Sequence, residues 1–129
     1  MVQTQQEPPR RILLVHTHYR LPGGEDAVFA AERALLEARG HQVFVYERSN
    51  AEADGSLWQK LLLPLRAVFS LKAYREVRAL IRKHQIQLVH VHNTLLVTSP
   101  SVFWACFAEG VPAVQTLHNF RLFCPNGVF

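Results

Sequence analysis

The sequence contains little cysteine and no long apolar run. Its two cysteines, Cys106 and Cys124, lie in unrelated contexts within 129 residues and offer no disulfide framework. No segment approaches the roughly 18 consecutive apolar residues that a transmembrane helix requires. The short apolar run after the polar N-terminus cannot form the core of a signal peptide. We therefore expect a cytoplasmic protein in which residues 1–9 form a disordered tail.

Charge is also modest. The formal net charge is +4, with 19% charged and 49% hydrophobic residues, a balance typical of one soluble α/β domain. Basic residues alternate with apolar ones in segment 60–83, which predicts a solvated helix face. Peripheral binding to anionic lipid at the inner face of the cell membrane is the alternative. Nucleic acid is not an expected partner, because no stacking platform or binding motif accompanies these residues. The basic residues of segment 60–83 are Lys60, Arg66, Lys72, Arg75, Arg78, Arg82 and Lys83.

Four short apolar runs, rich in β-branched residues, predict a parallel β-sheet. They cover residues 11–16, 42–46, 87–92 and 113–117. Their nearly continuous hydrophobicity favours strands that are covered on both faces. Helical patterns separate the runs, so the predicted order is β-α-β-α-α-β-α-β. This alternation predicts an α/β fold, a Rossmann-like parallel sheet with helices on both faces.

Several residues predict where the helices begin and end. Gly40 is expected to end the first helix. Pro64 is expected to interrupt the first of two helices within residues 56–84. Ser99 is expected to cap the last helix, with Pro100 at its first helical position. The apolar face of the first helix is predicted to consist of Val28, Ala31, Leu35 and Ala38.

Polar side chains collect where the predicted strands end. In an open parallel sheet, ligands bind beyond the carboxyl ends of the strands, so this edge is the predicted site. Five of the seven histidines follow strands here, namely His16, His18, His90, His92 and His118.

The Gly23-Gly24 pair follows the first strand and opens the first helix. Glycines permit a tight turn and a close approach to the backbone, and a helix N-terminus presents free N–H groups with partial positive charge. The pair therefore fits a phosphate. A simple chain turn explains it equally well, because the segment is not G-x-G-x-x-G. Glu47 is the only acidic candidate for a ribose contact after the second strand.

The histidines form two H-x-H pairs, His16 with His18 and His90 with His92. Such pairs could build a zinc site, and a metal-dependent hydrolase that uses His16, His18, His92 and His118 is one open alternative. We expect no metal, because zinc sites usually recruit carboxylates and only residues 25 and 26 are acidic nearby. His16 and His90 are interpreted as structural. His92 and His118 come last on their strands and are interpreted as ligand contacts.

Three stretches, in chain order, resemble the N-terminal domain of glycosyltransferase family 4, the retaining "group 1" transferases of GT-B fold. They are ILLVHTHYRLPGGEDAVFAAERALLEARGHQVFVYERSN, SLKAYREVRALIRKHQIQLVHVHNTLLVTSPSV and GVPAVQTLHNFRLFCPNG. The resemblance implies two Rossmann-like domains that face a cleft. The N-terminal domain holds a glycan or lipid-linked acceptor, and the C-terminal domain binds the nucleotide of a UDP- or GDP-sugar. The nucleotide-sugar is a substrate, and no cofactor is expected.

The resemblance also implies roles for individual residues. Gly23 and Gly24 are expected to lie against the donor diphosphate. His118, in TLHN, is expected to contact the transferred sugar and to stabilise charge at the reaction centre as the catalytic residue. The expected acceptor contacts are Asn93, Arg121, Arg20 and His92.

By this resemblance, residues 10–129 correspond to the acceptor-side domain alone. The C-terminal nucleotide-sugar domain is expected as a missing partner, in cis or in trans, and the fragment alone is expected to be inactive. A stand-alone acceptor-binding or interaction module is the alternative from a different class. Its interface is expected to use an apolar patch of Phe120, Leu122, Phe123, Val128 and Phe129.

Overall fold

The computed structural model describes residues 8–18, 23–50, 61, 63–94 and 97–118. The strands are β1 (Arg11–His18), β2 (Gln42–Ser49), β3 (Leu88–Val91) and β4 (Ala113–Gln115). The helices are α1 (Gly24–Ala38), α2 (Leu63–Val68), α3 (Leu71–His84) and α4 (Ser101–Glu109). The four strands form one parallel sheet in the order β2-β1-β3-β4. The predicted α/β, Rossmann-like architecture is therefore confirmed.

Alternate residues of β1 pack on opposite faces of the sheet. Leu13 and Val15 belong to the larger apolar cluster, together with residues of α3 and α4. Ile12 and Leu14 belong to a smaller cluster that contains Phe29 of α1. Within the described residues, helices therefore lie on both faces, as continuous hydrophobicity in a parallel strand requires.

The predicted strands are confirmed, but their bounds differ. β1 and β2 are longer than predicted and pair along their whole length, from Arg11 opposite Gln42 to His18 opposite Ser49. β3 and β4 are shorter, at Leu88–Val91 and Ala113–Gln115. The longer β1 keeps His18 within the hydrogen-bonded ladder, and this fixes the direction of its side chain.

The predicted apolar face of α1 is wrong. All four residues assigned to it are exposed, Val28 by 45% and Leu35 by 55%. Phe29 and Leu36 pack against the sheet instead, and Glu32 lies one helical turn from each. The contact face of α1 is half polar because it covers the polar ends of β1 and β3. A search for apolar periodicity consequently selects the opposite side of the helix.

The predicted end of α1 agrees with the structure, and the predicted start of α4 is shifted by one residue. Gly40 and Gly110 follow α1 and α4 with φ of 82° and 66°, the left-handed geometry that favours glycine after a helix. α4 begins at Ser101, one residue later than predicted, and Ser99 has a left-handed φ of 59°. The Ser99 hydroxyl nevertheless accepts the backbone N–H of Ser101 at 3.2 Å. Pro64 is the second residue of α2, where a missing N–H is tolerated, and residues 56–60 and 62 of the predicted helix lie outside the described residues.

The basic residues of α3 lie mostly on its outer side, as a solvated face predicts. Val77 and Ile81 face the core, whereas Arg78 and Arg82 form ion pairs of 2.5 and 2.8 Å with Glu109 of α4. Lys60 lies outside the described residues. None of the described helices is long and apolar enough to cross a lipid bilayer.

Candidate functional site

The interface between α1 and the sheet changes from apolar to polar along its length. At one end, Leu36 packs near Ile12 and Leu88. Towards the carboxyl ends of β1 and β3, the residues on the same strand faces become histidines, because side chains two positions apart share a face. The first turns of α1 supply carboxylates opposite them. The edge expected from the sequence therefore contains two clusters of imidazoles and carboxylates.

Asp26 is the centre of the first cluster, in the first turn of α1. Its Oδ1 lies 3.0 Å from His16 Nε2 and 2.5 Å from His18 Nδ1. Its Oδ2 accepts the backbone N–H of Gly23 at 2.8 Å. His18 Nε2 in turn lies 3.1 Å from Glu47 Oε1 on β2. The carboxylate therefore ties the turn before α1 to the end of β1 through two imidazoles.

Asp26 and His18 stabilise each other's charged forms. Burial alone would raise the pKa of Asp26, but hydrogen bonds from Gly23, His16 and His18 outweigh it and lower this pKa to about 2. Burial also opposes a charge on His18, yet hydrogen bonds to Asp26 and Glu47 raise its pKa above 6.5. The first cluster consequently favours the protonated form of His18 beside the carboxylates of Asp26 and Glu47.

Glu32 is the centre of the second cluster, two turns further along α1. Its Oε1 lies 2.5 Å from His90 Nδ1, and its Oε2 lies 3.5 Å from His92 Nε2. His90 Nε2 lies 2.8 Å from the hydroxyl of Thr116, just after β4. His92 Nδ1 lies 3.1 Å from Nε2 of His118. The cluster therefore joins α1 to β3 and to the segment that follows β4.

His92 is buried among other imidazoles. Its side chain is 0% exposed, and its ring stacks against those of His90 and His118. Burial, followed by repulsion from the neighbouring histidines, lowers its pKa to about 4. His92 is therefore neutral at neutral pH, and its contact with an acceptor stays a prediction.

Two buried imidazole nitrogens make no hydrogen bond within the described part of the chain. They are Nδ1 of His16 and Nε2 of His92. The Nε2 atom of His92 points toward Glu32, although their separation of 3.5 Å is long for a hydrogen bond. Buried polar atoms without partners are rare in folded proteins, and each calls for a physical reason.

Gly23 and Gly24 lie in open space at the start of α1. Gly23 has an extended backbone with φ of −131°, which any residue adopts. A Cβ atom added to either glycine would meet nothing within 4 Å. Neither glycine is therefore required by the fold of the described residues. Both residues are exposed, although the N–H of Gly23 already donates to Asp26 Oδ2, and the role of the pair in phosphate binding stays a prediction.

Asn93 follows β3 and connects it to the neighbouring elements. Its side-chain amide donates to the carbonyl of Thr17 at 3.0 Å and to Glu25 Oε2 at 3.3 Å. The residue is 8% exposed. Its predicted acceptor contact therefore involves a side chain that already bridges β1, α1 and β3.

Buried hydroxyls lie beside the site. Thr17 and Thr98 share a hydrogen bond of 2.5 Å between their side chains. Ser99 accepts the backbone N–H of Ser70 at 2.8 Å and donates to the Ser101 hydroxyl at 2.9 Å. This network fixes the ends of β1, α3 and α4 relative to one another, so it supports the site without belonging to it.

The structure brings together His16, His18, His90, His92 and His118, as the sequence predicted. Glu32 was not predicted as a site residue, because it lies on α1, distant in sequence from the histidines that it contacts. Glu32 lies three residues after Phe29 on the same helix face, and this spacing was the sequence feature that could have revealed it. Cys106 is buried, and burial raises the pKa of its thiol to about 11, so it is a core residue. Arg20, Arg121, Cys124 and the apolar patch at 120–129 lie outside the described residues.

Comparison with known proteins identifies the family. A model of Glycosyltransferase Family 4 matches residues 22–125, which is most of the chain. Neither a curated protein sequence nor a solved structure matches it. The matched region begins just before α1 and includes Asp26 and the whole of the second cluster, whereas His16 and His18 of the first cluster precede it. The chain belongs to glycosyltransferase family 4.

Proposed function

We propose that this chain is the acceptor-side domain of a retaining hexosyltransferase, which moves a sugar from a UDP- or GDP-sugar to a glycan or lipid-linked acceptor. One observation carries the proposal. The open Gly23-Gly24 backbone at the N-terminus of α1 is tied by Asp26 to the sheet edge that also holds His118. An anion-binding helix end and a catalytic imidazole therefore belong to the same edge.

The donor diphosphate is proposed to lie against the start of α1. Free N–H groups and the helix dipole favour an anion there. In the transfer, the bond between the anomeric carbon and the diphosphate oxygen breaks, and the acceptor hydroxyl oxygen bonds to the same face of that carbon. The hydroxyl proton passes to the departing diphosphate.

His118 is proposed to contact the transferred sugar as positive charge develops on it. A neutral imidazole can exchange a hydrogen bond with the sugar without adding repulsive charge. His92 holds this imidazole at 3.1 Å and is itself neutral. Asn93, His92, Arg20 and Arg121 are the proposed acceptor side of the site.

Two further parts of the proposal concern the surroundings of the domain. The nucleotide is proposed to be held by a second Rossmann-like domain, in cis or in trans. Peripheral binding to anionic membrane at the cytoplasmic face is proposed for α2 and the start of α3. There, Leu65 and Val68 are 69% and 72% exposed beside the basic residues Arg66 and Lys72.

Nucleoside diphosphate release by the form of the enzyme that includes the nucleotide domain tests the proposal. A panel of UDP- and GDP-sugars with glycan and lipid-linked acceptors is assayed. We expect release with one donor and an anomeric configuration retained in the product, measured by NMR. As a control, His84→Ala should release the nucleoside diphosphate as the unaltered enzyme does. His84 contacts Phe44 at the end of α3, away from the carboxyl edge of the sheet. Product of inverted configuration, or no release from any donor, contradicts the proposal.

A further inference from the structure

We propose that Glu32, His90 and His92 form a zinc-binding site between α1 and β3. The three side chains offer one carboxylate oxygen and two imidazole nitrogens, all within 4.8 Å of one another. This is a common ligand set for zinc in proteins, with a water molecule in the fourth position. The inference goes beyond the proposed sugar transfer and shares His92 with its acceptor side, so its test measures zinc binding and not sugar transfer.

The distances between the ligand atoms suit a zinc ion after a small adjustment. Zinc bonds of about 2.0–2.1 Å in tetrahedral geometry place ligand atoms about 3.3 Å apart. His92 Nε2 and Glu32 Oε2 are 3.5 Å apart. His90 Nδ1 and Glu32 Oε1 are 2.5 Å apart and must separate by somewhat less than an ångström. The ion would replace the contact between His90 and Glu32, and the Glu32 side chain would have to bring one oxygen within reach of both nitrogens.

The unpartnered Nε2 of His92 is the second observation that points to an ion. This side chain is 0% exposed, and the atom makes no hydrogen bond within the described residues. It is directed at the carboxylate of Glu32. With its proton on Nδ1, which lies 3.1 Å from His118 Nε2, His92 would direct a buried lone pair at this carboxylate, an arrangement that a cation satisfies.

Each histidine also has a partner for the nitrogen that would not bind zinc. His90 Nε2 can donate to the Thr116 hydroxyl at 2.8 Å, and His92 Nδ1 can donate to His118 Nε2 at 3.1 Å. Zinc-bound histidines usually donate their second N–H in this way, which fixes the tautomer and the ring orientation. Both histidines of the proposed zinc site therefore have a hydrogen-bond acceptor for the nitrogen that does not bind the ion.

The first cluster fits an ion less well. Its three ligand atoms already form hydrogen bonds with one another, since one oxygen of Asp26 contacts both His16 and His18. The second oxygen of Asp26 is occupied by the backbone N–H of Gly23. Zinc there would displace bonds that hold the start of α1.

The test uses the full 129-residue chain, freed of metal by a chelator and titrated with buffered Zn²⁺. We expect one equivalent of zinc, with a dissociation constant on the order of 1 µM or lower. Glu32→Gln and His92→Gln should each weaken binding by roughly 100-fold. His84→Gln and Asp26→Asn are controls that should bind as the unaltered chain does. Circular dichroism of each metal-free variant monitors folding.

A second measurement uses the unaltered chain, so it does not depend on variants that fold. Long-range ¹H–¹⁵N NMR of the imidazoles should show zinc on Nδ1 of His90 and on Nε2 of His92, with the other nitrogens protonated. Absence of zinc uptake in the micromolar range overturns the proposal. The proposal is also overturned if zinc binding survives Glu32→Gln, if it is lost only in Asp26→Asn, or if other nitrogens coordinate the ion.

Discussion

His92 and His118 lie side by side, with Nδ1 of one 3.1 Å from Nε2 of the other and their rings nearly parallel at 21°. The buried member follows β3, and the partly exposed member follows β4. A hydrogen bond between neutral imidazoles requires one of them to donate. The buried ring therefore limits which tautomer of His118 is available to a ligand.

Replacement of His118 separates a catalytic role from a packing role. In the enzyme form with its nucleotide domain, we expect His118→Ala to lower kcat by about 100-fold or more, because a hydrogen bond at the charged transition state is lost. The melting temperature should stay near that of the unaltered protein, since the side chain is partly exposed. Steady-state kinetics and thermal unfolding measure the two effects. A lower melting temperature at unchanged kcat would make His118 a packing residue.

Gly24→Ala should raise stability and lower activity. Alanine has the higher helix propensity, by up to about 1 kcal/mol, and its Cβ meets nothing within 4 Å. If a diphosphate lies against this backbone, the added methyl group raises KM for the donor. Gly40→Ala is the matched control: its φ of 82° should make alanine destabilising by about 1 kcal/mol without a specific effect on donor binding. An unchanged KM for the donor in Gly24→Ala would contradict a role of this backbone in binding the diphosphate.

Stability should fall in acid through Asp26, which faces His16, His18 and the N–H of Gly23. Its pKa is about 2 in the folded chain against 3.8 as a reference, so its contribution is present above pH 3.8 and is lost as pH falls through 2. Asp26→Asn should remove about 1–2 kcal/mol near neutral pH and flatten the dependence below pH 4. Urea unfolding at several pH values measures this. A variant that retains the full acid dependence would assign it to other groups.

His18 should give the opposite dependence. Its pKa is raised above 6.5, so the stabilisation is complete below pH 6.5 and is lost as pH rises through the folded value. His18→Gln should therefore reduce the decline in stability on the alkaline side of neutrality. NMR titration of the His18 ring gives its folded pKa directly. A value at or below 6.5 would contradict the interaction with Asp26 and Glu47.

Ser99 should be more costly to replace by alanine than by glycine. Both changes remove a buried hydroxyl that bonds Ser70 and Ser101, at a cost of about 1–3 kcal/mol. Glycine relieves the left-handed φ of 59°, whereas alanine does not, and the difference should be about 1 kcal/mol. Equal unfolding free energies for the two variants would show that the backbone is not strained there.

Charge on α2 and α3 should govern any membrane association. Chain with Arg66→Glu and Lys72→Glu should co-sediment less with anionic vesicles, because about 1 kcal/mol is lost for each basic residue near the surface. Lys83→Glu, at the other end of α3, is the control. Sedimentation that does not depend on the anionic lipid content would end this part of the proposal.

The sequence was sufficient for the sheet and insufficient for the helix that carries the carboxylates. The strands were predicted from their apolar runs, and the parallel arrangement followed from the alternation of strands and helices, whereas the strand order β2-β1-β3-β4 was not predicted. The buried face of α1 was predicted wrongly, because that face contains Glu32 as well as Phe29 and Leu36. Pattern searches rank a carboxylate as exposed, and only the three-dimensional register of α1 on β3 reveals its imidazole partners. The histidines were found because strand ends in a parallel sheet meet at one edge.

The uneven contact of α1 with the sheet has a mechanical consequence. Its far end is held by Leu36 against apolar strand residues, whereas its leading end is held by imidazole–carboxylate bonds. Opening of the first turn alone, before the buried Phe29, breaks the bonds of Asp26 and leaves the apolar contacts of α1 in place. Amide hydrogen exchange along α1 should therefore be graded, fastest in the first turns and slowest near Leu36. A change in the charge of Asp26 or of its two histidines would therefore act on the first turn of α1 before it reaches the sheet.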